Sequence, residues 1–211
     1  MGIFSKLFGG GSSSSNSSNN NRSGRRRQTY DDGSWYEGEF NADGKRHGRG
    51  VYHYDAQEYY DGEWKNGIKS GNGVYHFASG NRYEGQFYED SFFGNGVYYY
   101  KDGTRLEAYF SDGKPTRGSK YFTNGNHVEG PFNNNWHAHG ECVFYYANGN
   151  IIRGRFDNGK PAEGTYYWAE TGDSAQGAFI DWKLNGRILY TPRNGAPYYV
   201  LYDHGKYIQR L

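Results

Sequence analysis

The chain has 211 residues, and its 24 basic and 23 acidic residues give a formal net charge of +1. Leucine, isoleucine, valine and phenylalanine make only 32 residues, while the three aromatic types make 19% of the chain, which excludes an ordinary aliphatic core and predicts one built from rings. A single cysteine, Cys142, excludes an intramolecular disulfide framework, and no apolar run is long enough for a membrane span or a signal peptide. We therefore expect a cytoplasmic protein.

The first 29 residues differ in character from the rest. Residues 9–28 are Gly, Ser and Asn with four arginines and offer nothing to bury, so we predict a disordered tail over 1–29. This tail holds five basic residues and no acidic one, which leaves 19 basic against 23 acidic residues in 30–211. A tail of charge +5 therefore precedes a body of charge −4.

The tail has the features of a membrane-binding segment. It begins MGIFSKLF, with apolar residues at helical spacing and a glycine that is available for myristoylation once Met1 is removed. The predicted membrane-binding residues are Gly2, Ile3, Phe4, Lys6, Leu7, Phe8, Arg22, Arg25, Arg26 and Arg27. Lys6 stands where the acylation pattern has Ser or Thr, so two alternatives stay open: attachment without acylation, and a disordered terminus whose charge is incidental.

From residue 30 onward one pattern returns every 22 to 24 residues. In its first copy, YEGEF at 36–40, an aromatic residue, a glycine and a second ring alternate with acidic residues. The second ring recurs as Phe40, Trp64, Phe87, Phe110, Phe132, Phe156, Phe179 and Tyr202. A second segment, GRGVYHY in the first copy, follows each unit and also alternates with a period of two, which predicts strands.

Asp-Gly, Asn-Gly and Ser-Gly pairs lie between these strands, where a tight hairpin turn needs positive φ. Each unit is therefore predicted to be a β-hairpin. The predicted fold is all-β: an elongated single-layer antiparallel meander of about 15 strands, with about seven units and a partial eighth over 30–202 and the end of the array over 203–211.

A glycine at the centre of a strand needs a reason, because it packs nothing there. Gly38 shares its face with Tyr36, and on the second strand Gly50 shares its face with Tyr52 and Tyr54. We predict that aromatic rings lie over the glycines of neighbouring strands, so that the glycine column is a slot for an aromatic column.

The phrases YEGEF at 36–40, HGRGVYHY at 47–54 and YDGEW at 60–64 resemble the MORN repeat (membrane occupation and recognition nexus). The resemblance covers residues 30 to about 202. It weakens where Ala108 and Ala175 replace the family's Gly and Tyr, and where Lys120, Cys142 and Tyr166 replace the second glycine of GxG. It implies a hairpin array for tethering, dimerisation and scaffolding, with lipid binding often proposed, and without catalysis or cofactor.

The residues that suggest catalysis or metal binding have a simpler explanation. His137, His139 and Cys142 form the closest cluster, but we expect them to be spread along a loop and a strand, whereas zinc requires four convergent ligands. One acidic residue per hairpin is predicted on the solvated face: Glu37, Asp61, Glu84, Glu107 and Glu129. Nucleic acid is not an expected partner, because the body is acidic.

The leading functional prediction is a non-catalytic scaffold with an aromatic groove that accepts a protein segment, such as a helix, or a second copy of the chain. The expected setting is the cytoskeleton, a cilium or a membrane–cytoskeleton junction. Peripheral phospholipid binding through the tail is the alternative. The predicted groove residues are Tyr36, Tyr52, Tyr54, Tyr60, Trp64, Tyr75, Phe77, Tyr83, Tyr98 and Tyr100.

Overall fold

The computed structural model describes residues 24–211, and all of their regular structure is β. No helix long and apolar enough to cross a membrane occurs in this range. The strands of the described range are β1 (Gly24–Thr29), β2 (Trp35–Phe40), β3 (Arg46–His53), β4 (Tyr59–Lys65), β5 (Ile68–His76), β6 (Arg82–Tyr88), β7 (Ser91–Tyr99), β8 (Arg105–Ser111), β9 (Lys114–Tyr121), β10 (His127–Pro131), β11 (Gly140–Tyr145), β12 (Ile151–Asp157), β13 (Lys160–Tyr167), β14 (Ser174–Ile180), β15 (Lys183–Thr191), β16 (Tyr198–Asp203) and β17 (Lys206–Arg210).

These strands form one antiparallel sheet in which consecutive strands pair with each other in chain order. The predicted all-β, single-layer meander is confirmed. The prediction of about 15 strands is low, since β1 and β17 extend the sheet at its two ends. Sixteen strand-to-strand steps give the sheet a width of about 77 Å. The seven hairpins from β2–β3 to β14–β15 are numbered 1 to 7 below.

The sheet begins earlier than the predicted end of the tail. Residues 24–29 pair with β2 along its whole length, with Arg25 opposite Glu39 and Arg27 opposite Glu37. The Arg27 guanidinium lies 3.9 Å from the centre of the Trp35 ring. Opposite charges on facing strands and a cation over an aromatic ring stabilise β1, although it has no apolar side chain of its own.

The two faces of the sheet differ as the alternation predicts. On β2, Tyr36, Gly38 and Phe40 are buried on one face, here called the packed face. Glu37 and Glu39 are exposed on the other, here called the polar face. Because each hairpin repeats this alternation, ring after ring is buried on the packed face of a single sheet.

The glycine slot exists in hairpins 1 to 3. In hairpin 3, Gly85 pairs with Gly96, and the Tyr83 ring lies over both. A Cβ added at Gly85 would lie 2.6 Å from the Tyr83 hydroxyl oxygen, inside any real contact distance. The covering ring is the tyrosine two residues before the glycine on the same strand, and not the second-strand Tyr98. Glycine is required here by the ring, since no positive φ is involved.

In hairpins 4 and 5 the slot changes together with the side chain that fills it. Leu106 replaces the first-strand tyrosine, and Ala108 then pairs with Gly118. In hairpin 5, Val128 takes the tyrosine position, and the Cys142 side chain lies against the slot residue Gly130, where an added Cβ would be 2.5 Å from the Cys142 Sγ. A smaller first residue therefore permits a larger one in the slot.

The register also corrects two sequence assignments. Lys120 pairs with Leu106, and Tyr166 pairs with Ile152, so both occupy the position of the second-strand tyrosine in hairpins 1 to 3. They do not replace a glycine of GxG. Of Lys120, Cys142 and Tyr166, only Cys142 replaces the second glycine of GxG.

Candidate partner-binding site

Six of the ten predicted groove residues form a continuous file of rings on the packed face. Tyr52, Tyr54, Tyr75, Phe77, Tyr98 and Tyr100, here called the ring column, follow one another with centroid separations of 4.6, 5.7, 4.7, 5.6 and 4.8 Å. All except Tyr98 are half-buried, so each keeps part of its ring in contact with solvent. The column is formed by the carboxyl-terminal ends of β3, β5 and β7 and the residues that follow them.

The remaining predicted groove residues lie beneath this surface. Tyr36, Tyr60 and Tyr83 have no exposed area, and Trp64 is 4% exposed. Each tyrosine donates its hydroxyl proton to a backbone carbonyl of its own strand at 3.0 Å. These four residues build the core that supports the ring column and cannot touch a partner in this structure.

The outer hydroxyls of the column are held in place by a repeated contact. The second-strand tyrosine of a hairpin hydrogen-bonds the polar residue that precedes or begins the first strand of that hairpin. The pairs are Tyr52 with Ser34 at 2.7 Å, Tyr98 with Asn81 at 3.0 Å, Tyr166 with Asn150 at 2.7 Å, Tyr190 with Asp173 at 2.6 Å, and Tyr75 with Glu58. The rings are therefore preorganised, which lowers the entropy that a partner must overcome.

The column continues beyond the residues that the sequence singled out. Its rings beyond the predicted groove are Tyr30 on one side and Phe122, Phe144, Tyr146, Tyr166, Trp168, Tyr190 and Tyr198 on the other. Hairpin 4 interrupts it at Lys120, whose ammonium lies 4.6 Å from the centre of the Tyr100 ring. The segments GECVFYY and GTYYW carry the signal for these rings, but the glycine alignment placed Tyr166 two positions away from its true place.

Two cations are packed against the column from below. The Lys69 side chain is 4% exposed, and its Nζ donates to the Tyr54 hydroxyl at 3.2 Å and lies 4.9 Å from the centre of the Tyr75 ring. Burial lowers the pKa of Lys69 to about 8. Arg46, at the same position of hairpin 1, lies 4.5 Å from the centre of the Trp64 ring. Later hairpins place apolar residues such as Phe92 here.

The polar face carries a second file of side chains that the sequence analysis missed. One residue from each of β2 to β11 stands in register with the next, and neighbouring rings stack at 4.0 to 5.4 Å while arginines lie over tyrosines at 4.0 and 4.3 Å. This polar-face ladder is Trp35, His53, Tyr59, His76, Arg82, Tyr99, Arg105, Tyr121, His127 and Tyr145. Its members change type from strand to strand, so no column of identical residues signals it.

The acidic residues predicted on the solvated face lie beside this ladder. Glu84 is 3.4 Å from Arg82, and Glu107 is 2.7 Å from Arg105. Such exposed pairs contribute little to stability, about 0–1 kcal/mol each. The carboxylates of Glu84 and Glu107 are thus each paired with an arginine of the same strand.

The histidine and cysteine cluster does not converge on a common point. Cys142 is buried on the packed face, and burial raises the pKa of its thiol to about 11. His139 is exposed, and its Nδ1 lies 3.2 Å from Asp157. Within residues 24–211 no group of three or more His, Cys, Asp or Glu is arranged to hold a metal ion.

The predicted membrane-binding residues fall into two groups. Arg25, Arg26 and Arg27 belong to β1, where Arg26 lies 3.6 Å from the centre of the Phe40 ring, so these three are part of the sheet and not of a disordered tail. Gly2, Ile3, Phe4, Lys6, Leu7, Phe8 and Arg22 lie outside the described residues.

The chain is similar to a known repeat family and to some solved structures. The family model described as MORN repeat matches residues 36–56, 60–82, 83–105 and 137–151. No curated protein sequence matches the chain. Among solved structures, the Drosophila melanogaster SAS-4 (dCPAP) TCP domain, in complex with a proline-rich motif of Ana2 (dSTIL), is 15% identical, with 83% of this chain and 88% of that chain covered and a TM-score of 0.48. The E1021V mutant of the Danio rerio CPAP TCP10 domain is 14% identical, with 88% and 98% covered and a TM-score of 0.29.

Three of the four matched segments are hairpins 1 to 3, in which glycine pairs lie beneath tyrosine rings, and the fourth lies in hairpin 5 and the start of the next strand. The chain is a MORN-repeat protein.

Proposed function

We propose that this chain is a non-catalytic scaffold that binds a protein segment along the ring column. The observation that carries the proposal is the unbroken file of rings from Tyr52 to Tyr100, of which all but Tyr98 are half-buried. Hydroxyl contacts hold Tyr52, Tyr75 and Tyr98 in place. Rigid aromatic side chains with a polar tip supply contact area at low entropic cost, which is why they concentrate at interfaces. A helix laid along the column, or a second copy of the chain, is the expected guest.

The cytoskeleton, a cilium or a membrane–cytoskeleton junction is the proposed setting, by analogy with the family. Attachment to anionic lipid through residues 1–23 is the alternative function. Flotation of vesicles that contain phosphatidylserine, with the full chain and with a chain that begins at Gly24, separates the two. Binding that is lost on truncation supports the lipid alternative. Binding that persists assigns lipid contact to the sheet.

The scaffold proposal is tested by removing rings that have no structural hydrogen bond. Phe77→Ser and Tyr100→Ser take away exposed parts of the column, whereas Tyr109→Ser removes a 46% exposed ring from the polar face and serves as the matched control. We expect the two column variants to lose specific partners in a quantitative pulldown and the control to keep them. Sedimentation analysis of the same three proteins tests self-association. Equal partner recovery and equal sedimentation for all three would remove the ring column from the function.

A further inference from the structure

The interruption of the ring column at hairpin 4 marks a specific site. In five other hairpins the second-strand tyrosine bonds a polar residue near the start of the first strand, and Lys120 stands in the tyrosine position of hairpin 4. The polar residue at the matching place is Thr104, which is 7% exposed. Lys120 therefore breaks the repeated hydrogen-bonding pattern at hairpin 4.

Within residues 24–211 the Lys120 ammonium forms no hydrogen bond and no salt bridge, and the Asp102 charge acts on it from beyond salt-bridge distance. It lies 4.6 Å from the centre of the Tyr100 ring and 6.0 Å from that of Phe122, which are cation–π distances. The side chain is half-buried, and burial lowers its pKa, with Asp102 acting in the opposite direction. Lys69, in contrast, donates to a tyrosine hydroxyl. Lys120 therefore retains three unused donors at the surface.

A concave surface has formed around this ammonium. The loop between β10 and β11 places Trp136, at a φ of 64°, with its ring 4.9 Å from that of Tyr98 and 5.7 Å from that of Phe110. The cavity that results has a volume of about 310 Å³ and is lined by Tyr98, Tyr100, Lys120, Asn135, Trp136 and His137. We call it the Lys120 pocket. The pocket therefore presents three aromatic rings and one cation next to the end of the ring column.

We propose that the Lys120 pocket binds the carboxylate of an aspartate or glutamate in the protein segment that lies along the ring column. This inference rests on the proposed function and adds the chemistry of the partner: an apolar stripe that faces the rings, with one acidic residue where the rings give way to Lys120. A carboxylate would satisfy the unused donors, and the flanking rings would exclude water from the contact.

The occupant is unlike the chain's own amino-terminal segment. Residues 1–23 hold Lys6 and Arg22 and no acidic residue, so that segment has no carboxylate to offer and repels Lys120. A phosphate normally recruits a cluster of arginines, whereas the pocket offers a single lysine among three rings, with Asn135 and His137 as its other polar lining residues. The charge of the site thus favours an acidic side chain of another protein.

The test selects ligands from a random 16-residue peptide library displayed on phage, with the full chain as bait. Enriched peptides are synthesised with the acidic residue as Glu or Gln, and the Kd of each is measured for the wild type, Lys120→Gln and Phe77→Ser. We expect Glu→Gln in the peptide to weaken binding by about tenfold or more, as for a charge-assisted hydrogen bond. Lys120→Gln should weaken the Glu peptide equally and leave the Gln peptide unchanged.

Three other outcomes have distinct meanings. If peptides lose binding with Phe77→Ser but bind equally well as Glu or Gln forms, the carboxylate assignment is overturned and the scaffold proposal stands. If Lys120→Gln weakens both peptide forms equally, the pocket recognises the shape of the peptide and not its carboxylate charge, which also overturns the assignment. If no selected peptide depends on Phe77, the scaffold proposal fails and the assignment fails with it.

A stability measurement on the full chain tests, without any peptide, whether the fold itself needs Lys120. Lys120→Tyr restores the ring column and allows a hydroxyl contact to Thr104, so we expect the melting temperature to rise by a few degrees. A fall in the melting temperature would mean that hairpin 4 requires the lysine for folding, and the argument that it is retained for binding would be wrong.

Discussion

The glycine slot makes a quantitative prediction for Gly85→Ala. The new Cβ would lie 2.6 Å from the Tyr83 hydroxyl oxygen and 2.7 Å from the Cα of Gly96, so the ring must move. That ring has no exposed area, donates to the Gln86 carbonyl at 3.0 Å and stacks on Phe92 at 3.8 Å. Overpacking costs about 1–3 kcal/mol. Loss of the hydrogen bond adds about 1 kcal/mol.

The expected loss of stability is therefore about 2–4 kcal/mol, or about 4–16 °C in melting temperature for a chain of this size. Hairpin 4 supplies the compensating change, because there Leu106 accompanies Ala108 opposite a glycine. In a Tyr83→Leu background, Gly85→Ala should thus cost less than about 1 kcal/mol. Thermal and urea unfolding of the four proteins, followed by tryptophan fluorescence and far-UV circular dichroism, complete the double-mutant cycle.

Gln86→Ala, on the exposed side of the same strand, is the matched control and should change stability by less than about 0.5 kcal/mol. If Gly85→Ala costs the same with tyrosine and with leucine at position 83, the ring does not occupy the slot. The physical account of the central glycine would then be wrong, since backbone strain or sheet propensity alone would explain the loss.

Three further predictions follow from buried groups. Lys69→Met should stabilise the fold by about 1–3 kcal/mol at pH 7. The pKa of Lys69 is near 8 in the folded chain and higher in the unfolded chain, so the wild type should gain stability between pH 8 and about 10 and the difference between the two proteins should narrow. Urea titrations of both proteins over this pH range measure the difference. Trp136→Ala should cost about 1–3 kcal/mol, since its ring packs on Tyr98 and Phe110. Cys142 should react with Ellman's reagent at pH 8 about 100-fold more slowly in the folded than in the unfolded chain.

The fold was predictable because its determinants are local and repeated. Tyr36, Gly38 and Phe40 recur with a period of two within a strand and about 23 residues between hairpins, and each copy repeats the same packing problem. The prediction that rings cover glycines followed from that column alone. The identity of the covering ring did not, because Tyr36 and Tyr52 share a face and only the side-chain direction distinguishes them.

The second half of the array was harder to align, because one-residue irregularities change the spacing between anchors. In hairpins 1 to 3 the register shifts by two residues after the glycine pair, whereas in hairpin 4 it shifts by one residue, between Tyr109 and Phe110. Gly118 therefore pairs with Ala108, and Lys120 takes a tyrosine position. A sequence aligned on glycines alone cannot show that shift. The register of hydrogen bonds between strands settles it.

The amino-terminal strand was missed for a different reason. Residues 24–29 carry three arginines and no apolar side chain, a composition typical of a solvated tail. Stabilising partners of this strand belong to β2: Glu37 and Glu39 face its arginines, and Trp35 lies under Arg27. Local composition therefore predicts the wrong state wherever a segment uses its neighbour's rings and charges for its own stability.

Because the hairpins repeat, a residue that differs from those at the same position of the other hairpins can be compared with them directly. The differences in this chain have two kinds of cause. Leu106 with Ala108, and Val128 with Cys142, are paired changes in which a smaller filler meets a larger slot, so packing explains them. Lys120 has no such pair: the first-strand residue opposite is apolar, and no acceptor replaces the lost tyrosine hydroxyl. Burial penalises the Lys120 charge, and the Tyr100 ring and the Asp102 charge offset part of that penalty, but no hydrogen bond replaces the one that the tyrosine makes in five other hairpins. This unreplaced hydrogen bond directs the search for a partner to hairpin 4.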